Sequence, residues 1–76
     1  MGITEQLKEY IIRDVIEFYA TDTGADMKAS MALFYGSEVF VKLDDVETGL
    51  YLDSSAYVYD LFCDELRHGR IIQTEV

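Results

Sequence analysis

The chain of 76 residues carries 15 Asp and Glu against 6 Lys and Arg, a net charge of −9, and half of its residues are hydrophobic. This length predicts a single domain over residues 1–76 with a thin core, and the hydrophobic half excludes a disordered tail. The charge argues against direct binding of nucleic acid and against docking on anionic membranes, because both need clustered Lys and Arg.

The first predicted helix runs over residues 5–20, with Thr4 as its N-cap. Its apolar side chains recur at spacings of four, four and three and are widened by three neighbours: Leu7, Ile11, Val15 and Phe18, with Ile12, Ile16 and Tyr19. Glu9 and Arg13 form an i,i+4 pair on the polar side. Residues 21–24 are predicted to turn, because their side chains compete for backbone hydrogen bonds and Gly24 follows.

A second helix is predicted over residues 25–35, which are rich in Ala and Met, with Gly36 ending it. Residues 37–43 fit either a short helix capped by Ser37 or a strand, since Val39, Val41 and Leu43 alternate. Phe40 breaks the polar half of that alternation, so we favour the helix.

An acidic turn over residues 44–49 and a short apolar stretch over residues 50–52 precede the last predicted helix, residues 55–68. Its inward stripe is predicted to be Val58, Leu61, Phe62 and Leu66, with Gly69 as a left-handed cap. Residues 70–76 form a tail that frays or pairs as a short strand. The predicted fold is all-α: a compact bundle of three to four short helices with an irregular acidic loop and a possible short C-terminal strand.

The single Cys63 excludes an internal disulfide framework and favours a reducing compartment. Residues 1–6 lack the basic start and apolar core of a secretion signal. No apolar run approaches the roughly 18–20 residues that cross a bilayer. We therefore expect a cytoplasmic protein, and its surplus of apolar residues favours a homodimer.

The densest feature is an acidic stretch without Lys or Arg, formed by Asp44, Asp45, Glu47, Asp53, Asp60, Asp64 and Glu65. It suits a basic protein surface, a divalent cation, or mimicry of nucleic acid toward a protein that binds it. A calcium loop of the EF-hand kind fits poorly, because its third and fifth positions counted from Asp44 fall on Val46 and Thr48. We predict no metal site and no cofactor.

Catalytic motifs are absent from the sequence. Cys63 and His68 stand five residues apart, which separates them around a helix, and no third group orients the imidazole. We expect a partly buried thiol and a histidine at a helix end. The sequence also lacks a Gly-rich phosphate loop and a nucleophile elbow, so a non-enzymatic protein without catalytic residues is predicted.

Three of the six tyrosines, Tyr51, Tyr57 and Tyr59, crowd the acidic region. Tyr51 and Tyr57 are expected to border the core, whereas Tyr59 is expected to face solvent or a partner, opposite Phe62 and Leu66. Tyrosines beside carboxylates suit a surface that receives Arg or Lys from another protein. The predicted partner-binding residues are Asp44, Asp45, Glu47, Tyr51, Tyr59, Asp60 and Asp64.

Three segments, residues 34–37, 46–51 and 57–60, together with the helix layout, resemble a group of very short acidic bacterial proteins of unknown function. Some of those proteins are encoded beside toxin-like genes. The resemblance implies a small helical accessory or antitoxin-like protein, and it transfers no catalytic residues.

Overall fold

The computed structural model describes residues 2–69, which form four α-helices: α1 Ile3–Thr23, α2 Met27–Tyr35, α3 Glu38–Asp44 and α4 Ser55–His68. Two 3₁₀ turns, Val46–Thr48 and Leu50–Leu52, lead from α3 to α4. Residues 2–69 contain no strand, so the predicted all-α class is confirmed. The possible strand in residues 70–76 lies outside the described residues.

Helix α1 is longer than predicted at both ends. It begins after Gly2, where no side chain caps it, so the assignment of Thr4 as the N-cap is wrong. Residues 21–23 continue the helix instead of turning, and the Thr23 hydroxyl donates to the Tyr19 carbonyl at 2.7 Å. The helix ends at Gly24, whose φ of 76° is the left-handed conformation that glycine adopts at low cost.

Helices α2 and α3 begin at polar caps. Asp26 accepts a hydrogen bond from the Ala29 amide at 2.7 Å, which starts α2 two residues later than predicted. Ser37 caps α3 by accepting from the Phe40 amide at 3.1 Å, so the helical prediction for residues 37–43 is confirmed. The Glu65 carboxylate of α4 also accepts from the first amides of α3, Glu38 at 2.8 Å and Val39 at 3.0 Å.

The predicted irregular loop is instead a pair of 3₁₀ turns. Asp45 caps the first by accepting from the Glu47 amide at 3.0 Å, and the Thr48 hydroxyl donates to the Lys42 carbonyl at 2.6 Å. Gly49, with a φ of 70°, joins the two turns. Leu50 is buried, so the second turn is anchored on the core.

All four helices and the second 3₁₀ turn contribute to one core. Its buried apolar members are Ile11, Val15, Ile16, Phe34, Val39, Leu43, Leu50, Val58 and Phe62. The Phe34 and Phe62 rings meet edge to face with centroids 5.1 Å apart, an arrangement aromatic pairs favour.

Two residues of the predicted apolar stripes are exposed. Phe18 is exposed at the edge of the bundle, where its ring packs on Tyr59. Leu66 is also exposed, because in the last turn of α4 it is Glu65 that reaches α3. Within residues 2–69, none of the helices has both the length and the apolar character of a bilayer-spanning segment.

Candidate binding grooves

The acidic stretch does not form one uncompensated surface. The Asp44 carboxylate lies 3.5 Å from the Lys8 ammonium, and the Asp64 carboxylate lies 3.2 Å from the Arg67 guanidinium. Glu65 is occupied by the N-terminus of α3. The expectation that this whole stretch lacks compensating charge is therefore wrong, because its cations come from sequence positions on either side of it.

The other carboxylates of the stretch point outward. Asp45 is exposed and caps its own 3₁₀ turn, while Glu47, Asp53 and Asp60 are exposed and form no ion pair within residues 2–69. In the same part of the chain, no group of three or more His, Cys, Asp or Glu side chains is placed to share a metal ion. Cys63 is half-buried and His68 is exposed at the end of α4.

Tyr59 was predicted to face solvent or a partner, but it is half-buried and packs against the core. Its hydroxyl donates to the Asp22 carboxylate at 2.6 Å, and its ring packs edge to face on Phe18 with centroids 5.5 Å apart. Burial, reinforced by the hydrogen bond to Asp22, raises the pKa of Tyr59 above its ordinary value. The error follows from the length of α1, whose extra turn brings Asp22 to the Tyr59 hydroxyl. Tyr57, expected at the core border, is 48% exposed instead.

A groove with a volume of about 200 Å³ lies between the first half of α1 and the residues that lead into α4. We call it the tyrosine groove; it is lined by Leu7, Tyr10, Ile11, Tyr51, Leu52, Asp53, Ser54 and Ser55. Tyr10 and Leu52 are among the most exposed apolar side chains, at 63% and 70%, whereas Tyr51 is half-buried against the core. Of the predicted partner-binding residues, only Tyr51 lines this groove.

Two long-range contacts tie α1 to the two ends of the segment between α3 and α4, which carries one wall of the tyrosine groove. The Ser55 hydroxyl donates to the Asp14 carboxylate of α1 at 2.7 Å. Lys8, which is only 7% exposed, donates from its ammonium to the Asp44 carbonyl at 2.8 Å and so ties α1 to the end of α3. Sequence reasoning missed Lys8, although its spacing of three and seven to Ile11 and Val15 places it on the buried face.

The lining of the tyrosine groove suits a cationic side chain. The stem of an Arg or Lys packs on apolar surface, its charge is attracted to the face of a tyrosine ring, and a carboxylate completes the contact. Leu52, Tyr10 with Tyr51, and Asp53 supply these three elements within one groove.

A second groove, of about 260 Å³, lies between α1 and α2. We call it the methionine groove; it is lined by Glu9, Ile12, Arg13, Ile16, Met27, Met31 and Tyr35. Its three α2 side chains, Met27, Met31 and Tyr35, are each between 41% and 46% exposed. Sequence reasoning missed this groove because it sought the working surface where the negative charge is concentrated.

Comparisons with protein-family models, with curated proteins and with solved structures yield no match to the chain.

Proposed function

We propose that the protein is a non-enzymatic interaction module that binds a basic segment of another protein in the tyrosine groove. The observation that supports this function is the combination of two tyrosines, an apolar floor and the exposed Asp53 in one groove. The net charge of −9 would attract such a segment over a distance and raise its association rate.

In this proposal the groove receives one Arg or Lys, and nearby carboxylates receive its neighbours. Asp45 and Glu47 are exposed before the second 3₁₀ turn and would attract further cations of the segment, whereas the Asp44 carboxylate is paired with Lys8. Asp60 and Asp64, on α4, contribute to the general negative field but do not line the groove. Tyr59 takes no part, because its hydroxyl is engaged by Asp22.

A divalent-cation site and mimicry of nucleic acid would draw on the same negative charge. Neither function uses the apolar floor or the tyrosines of the groove. A basic protein segment uses the negative charge, the apolar floor and the tyrosines together, which is why we favour it over both alternatives.

The proposal also includes the setting in which the protein works. The lone Cys63 supports a cytoplasmic location, and the large apolar fraction supports a homodimer. An accessory or antitoxin-like role, which the resemblance to short bacterial proteins implies, would be one form of such an interaction module.

A titration followed by amide nuclear magnetic resonance tests the proposed groove. The isotope-labelled protein is titrated with a short peptide of alternating Arg and Ala, and a Glu and Ala peptide of equal length serves as the control. We expect shifts concentrated at residues 7–11 and 50–55 with the Arg peptide alone. Shifts spread over all carboxylates, and abolished at physiological salt, would indicate non-specific attraction and contradict the proposal.

Asp53→Lys and Asp60→Lys form a matched pair for this test, because each reverses the charge at one exposed position. Only Asp53 lines the tyrosine groove. We expect Asp53→Lys to lower the affinity for the Arg peptide by about tenfold or more, and Asp60→Lys to lower it by only about twofold. Equal losses in the two variants would mean that net charge, and not the groove, determines binding.

A further inference from the structure

The charges that line the methionine groove are balanced, unlike those of the chain as a whole. Helix α2 contains one lysine, Lys28, and no Asp or Glu, in a chain that carries 15 of them. The α1 side of the groove adds one carboxylate, Glu9, and one guanidinium, Arg13, whose charges cancel. Arg13 and Lys28 are exposed and form no ion pair within residues 2–69.

The apolar lining of this groove is incompletely covered by the chain itself. Ile12 is half-buried, and Met27, Met31 and Tyr35 keep close to half of their surface exposed. Methionine is flexible and polarisable, so such a surface adapts to an apolar neighbour. Exposed apolar side chains that adjoin in one groove are typical of interaction surfaces.

The two charged residues of this groove are complementary to each other, which suits a second copy of the chain as the occupant. Two copies that each carry −9 repel one another, and this repulsion is weakest where the local charge is balanced. Glu9 and Arg13 also stand one helical turn apart at the same groove. A two-fold axis between them would place Glu9 of each copy opposite Arg13 of the other, so one pair of residues makes two ion pairs.

We propose that the methionine groove is a two-fold dimer interface, in which Met27, Met31 and Tyr35 pack against their counterparts and Glu9 pairs with Arg13 across the axis. The inference rests on the proposed homodimer and names the face that forms it. It leaves the tyrosine groove free, since that groove uses different residues of α1, Leu7, Tyr10 and Ile11.

Met31→Glu and Leu33→Glu test the apolar part of the interface. Both residues lie in α2 and are equally exposed, at 41% and 40%, but only Met31 lines the groove. We expect sedimentation equilibrium to show a wild-type dimer whose dissociation constant rises at least about tenfold in Met31→Glu, because each interface buries two new charges. Leu33→Glu should change the constant by less than about twofold. Unchanged circular dichroism in both variants excludes unfolding as the cause.

Glu9→Arg and Arg13→Glu test the symmetry of the pairing. Each variant alone places like charges opposite each other twice and should be mainly monomeric. An equimolar mixture restores both ion pairs in a mixed dimer, so we expect the mixture to recover the dimer mass. Failure of the mixture to recover that mass would overturn the proposed pairing.

The remaining outcomes separate the two levels of the proposal. A wild-type protein that is monomeric up to about 1 mM would overturn both the homodimer and this face. If the wild type is a dimer and Met31→Glu does not weaken it, the homodimer stands, but the methionine groove is not its interface. Larger assemblies that grow with concentration would indicate a head-to-tail contact and overturn the two-fold arrangement.

Discussion

The tyrosine groove and the methionine groove share helix α1 but differ in charge. The first is lined by the exposed Asp53 and contains no Lys or Arg, whereas the second contains one residue of each sign. The contrast shows that a net charge of −9 does not describe every face of so small a protein. The residues of the tyrosine groove favour a basic segment, and those of the methionine groove favour a second copy of the chain.

The two grooves arise from the same helix because α1 has more apolar side chains than the core can cover. Ile11, Val15 and Ile16 are buried, while Leu7 and Ile12 are half-buried and line grooves on different sides. A domain of this length has a high ratio of surface to volume, so part of its apolar surface stays at the boundary. In this protein the boundary residues are grouped, and grouping is what makes them available to partners.

Phe62→Ala should destabilise the whole bundle and with it both grooves, because both rest on the same core. Phe62 is fully buried and contacts Phe34 and Tyr19 edge to face. We expect a loss of about 3–5 kcal/mol in the free energy of unfolding, measured with urea. Tyr57→Ala, at an exposed position of the same helix, should cost less than about 1 kcal/mol. Similar losses in the two variants would contradict the assigned core.

Lys8→Met should impair binding in the tyrosine groove and leave the methionine groove unaffected. The methionine keeps the buried stem but loses the hydrogen bond to the Asp44 carbonyl, so we expect a loss of about 1–3 kcal/mol by urea unfolding. The Arg peptide should bind more weakly, because the end of α3, from which the chain enters the turns before the tyrosine groove, loses its tie to α1. The dimer mass should stay unchanged. The control Lys42→Met should change neither the binding of the peptide nor the dimer mass. A larger effect on the dimer than on the peptide would contradict this division.

Tyr59→Phe should lower stability without changing either groove, since Tyr59 lines neither. Loss of the hydrogen bond to Asp22 should cost about 0.5–1.5 kcal/mol at neutral pH. Because the folded state raises the pKa of Tyr59, it holds this proton more tightly than the unfolded state. The stabilisation is therefore complete below the ordinary tyrosine pKa of about 10 and declines as the pH rises above it.

Urea unfolding of the wild type and of Tyr59→Phe from neutral pH to about pH 11 measures this decline. The difference between the two proteins should shrink at the alkaline end. Tyr57→Phe makes the same chemical change at an exposed position and should show almost no difference at any pH. A difference for Tyr59→Phe that stays constant over the whole range would contradict the role of its hydroxyl proton.

The helices that local signals define were predicted well. Helix α4 has the predicted bounds and ends at Gly69 in the left-handed conformation, and α3 begins after the predicted Ser37 cap. The ends of α1 were not predicted, because residues 21–23 individually favour a turn and a contact from a distant helix supports the extra turn. That contact joins Asp22 to Tyr59, 37 residues later in the chain.

The candidate sites were predicted less well than the helices. Tyr51 was identified from its acidic neighbours, but the grooves are formed between elements that are distant in sequence. The pairing of Lys8 with Asp44 spans 36 residues and engages a carboxylate that was predicted from the sequence to bind a partner. Helical spacing alone would have placed Lys8 on the buried face, whereas no local pattern indicates which carboxylate it meets.

The Glu65 carboxylate, which binds the first amides of α3, also bears on the order in which the chain folds. A helix of seven residues is too short to persist alone in water. The group that completes its N-terminus belongs to a residue 27 positions later than Glu38. We therefore expect α3 to become stable only once α4 docks against it, so that the middle of the chain is completed after its C-terminal helix.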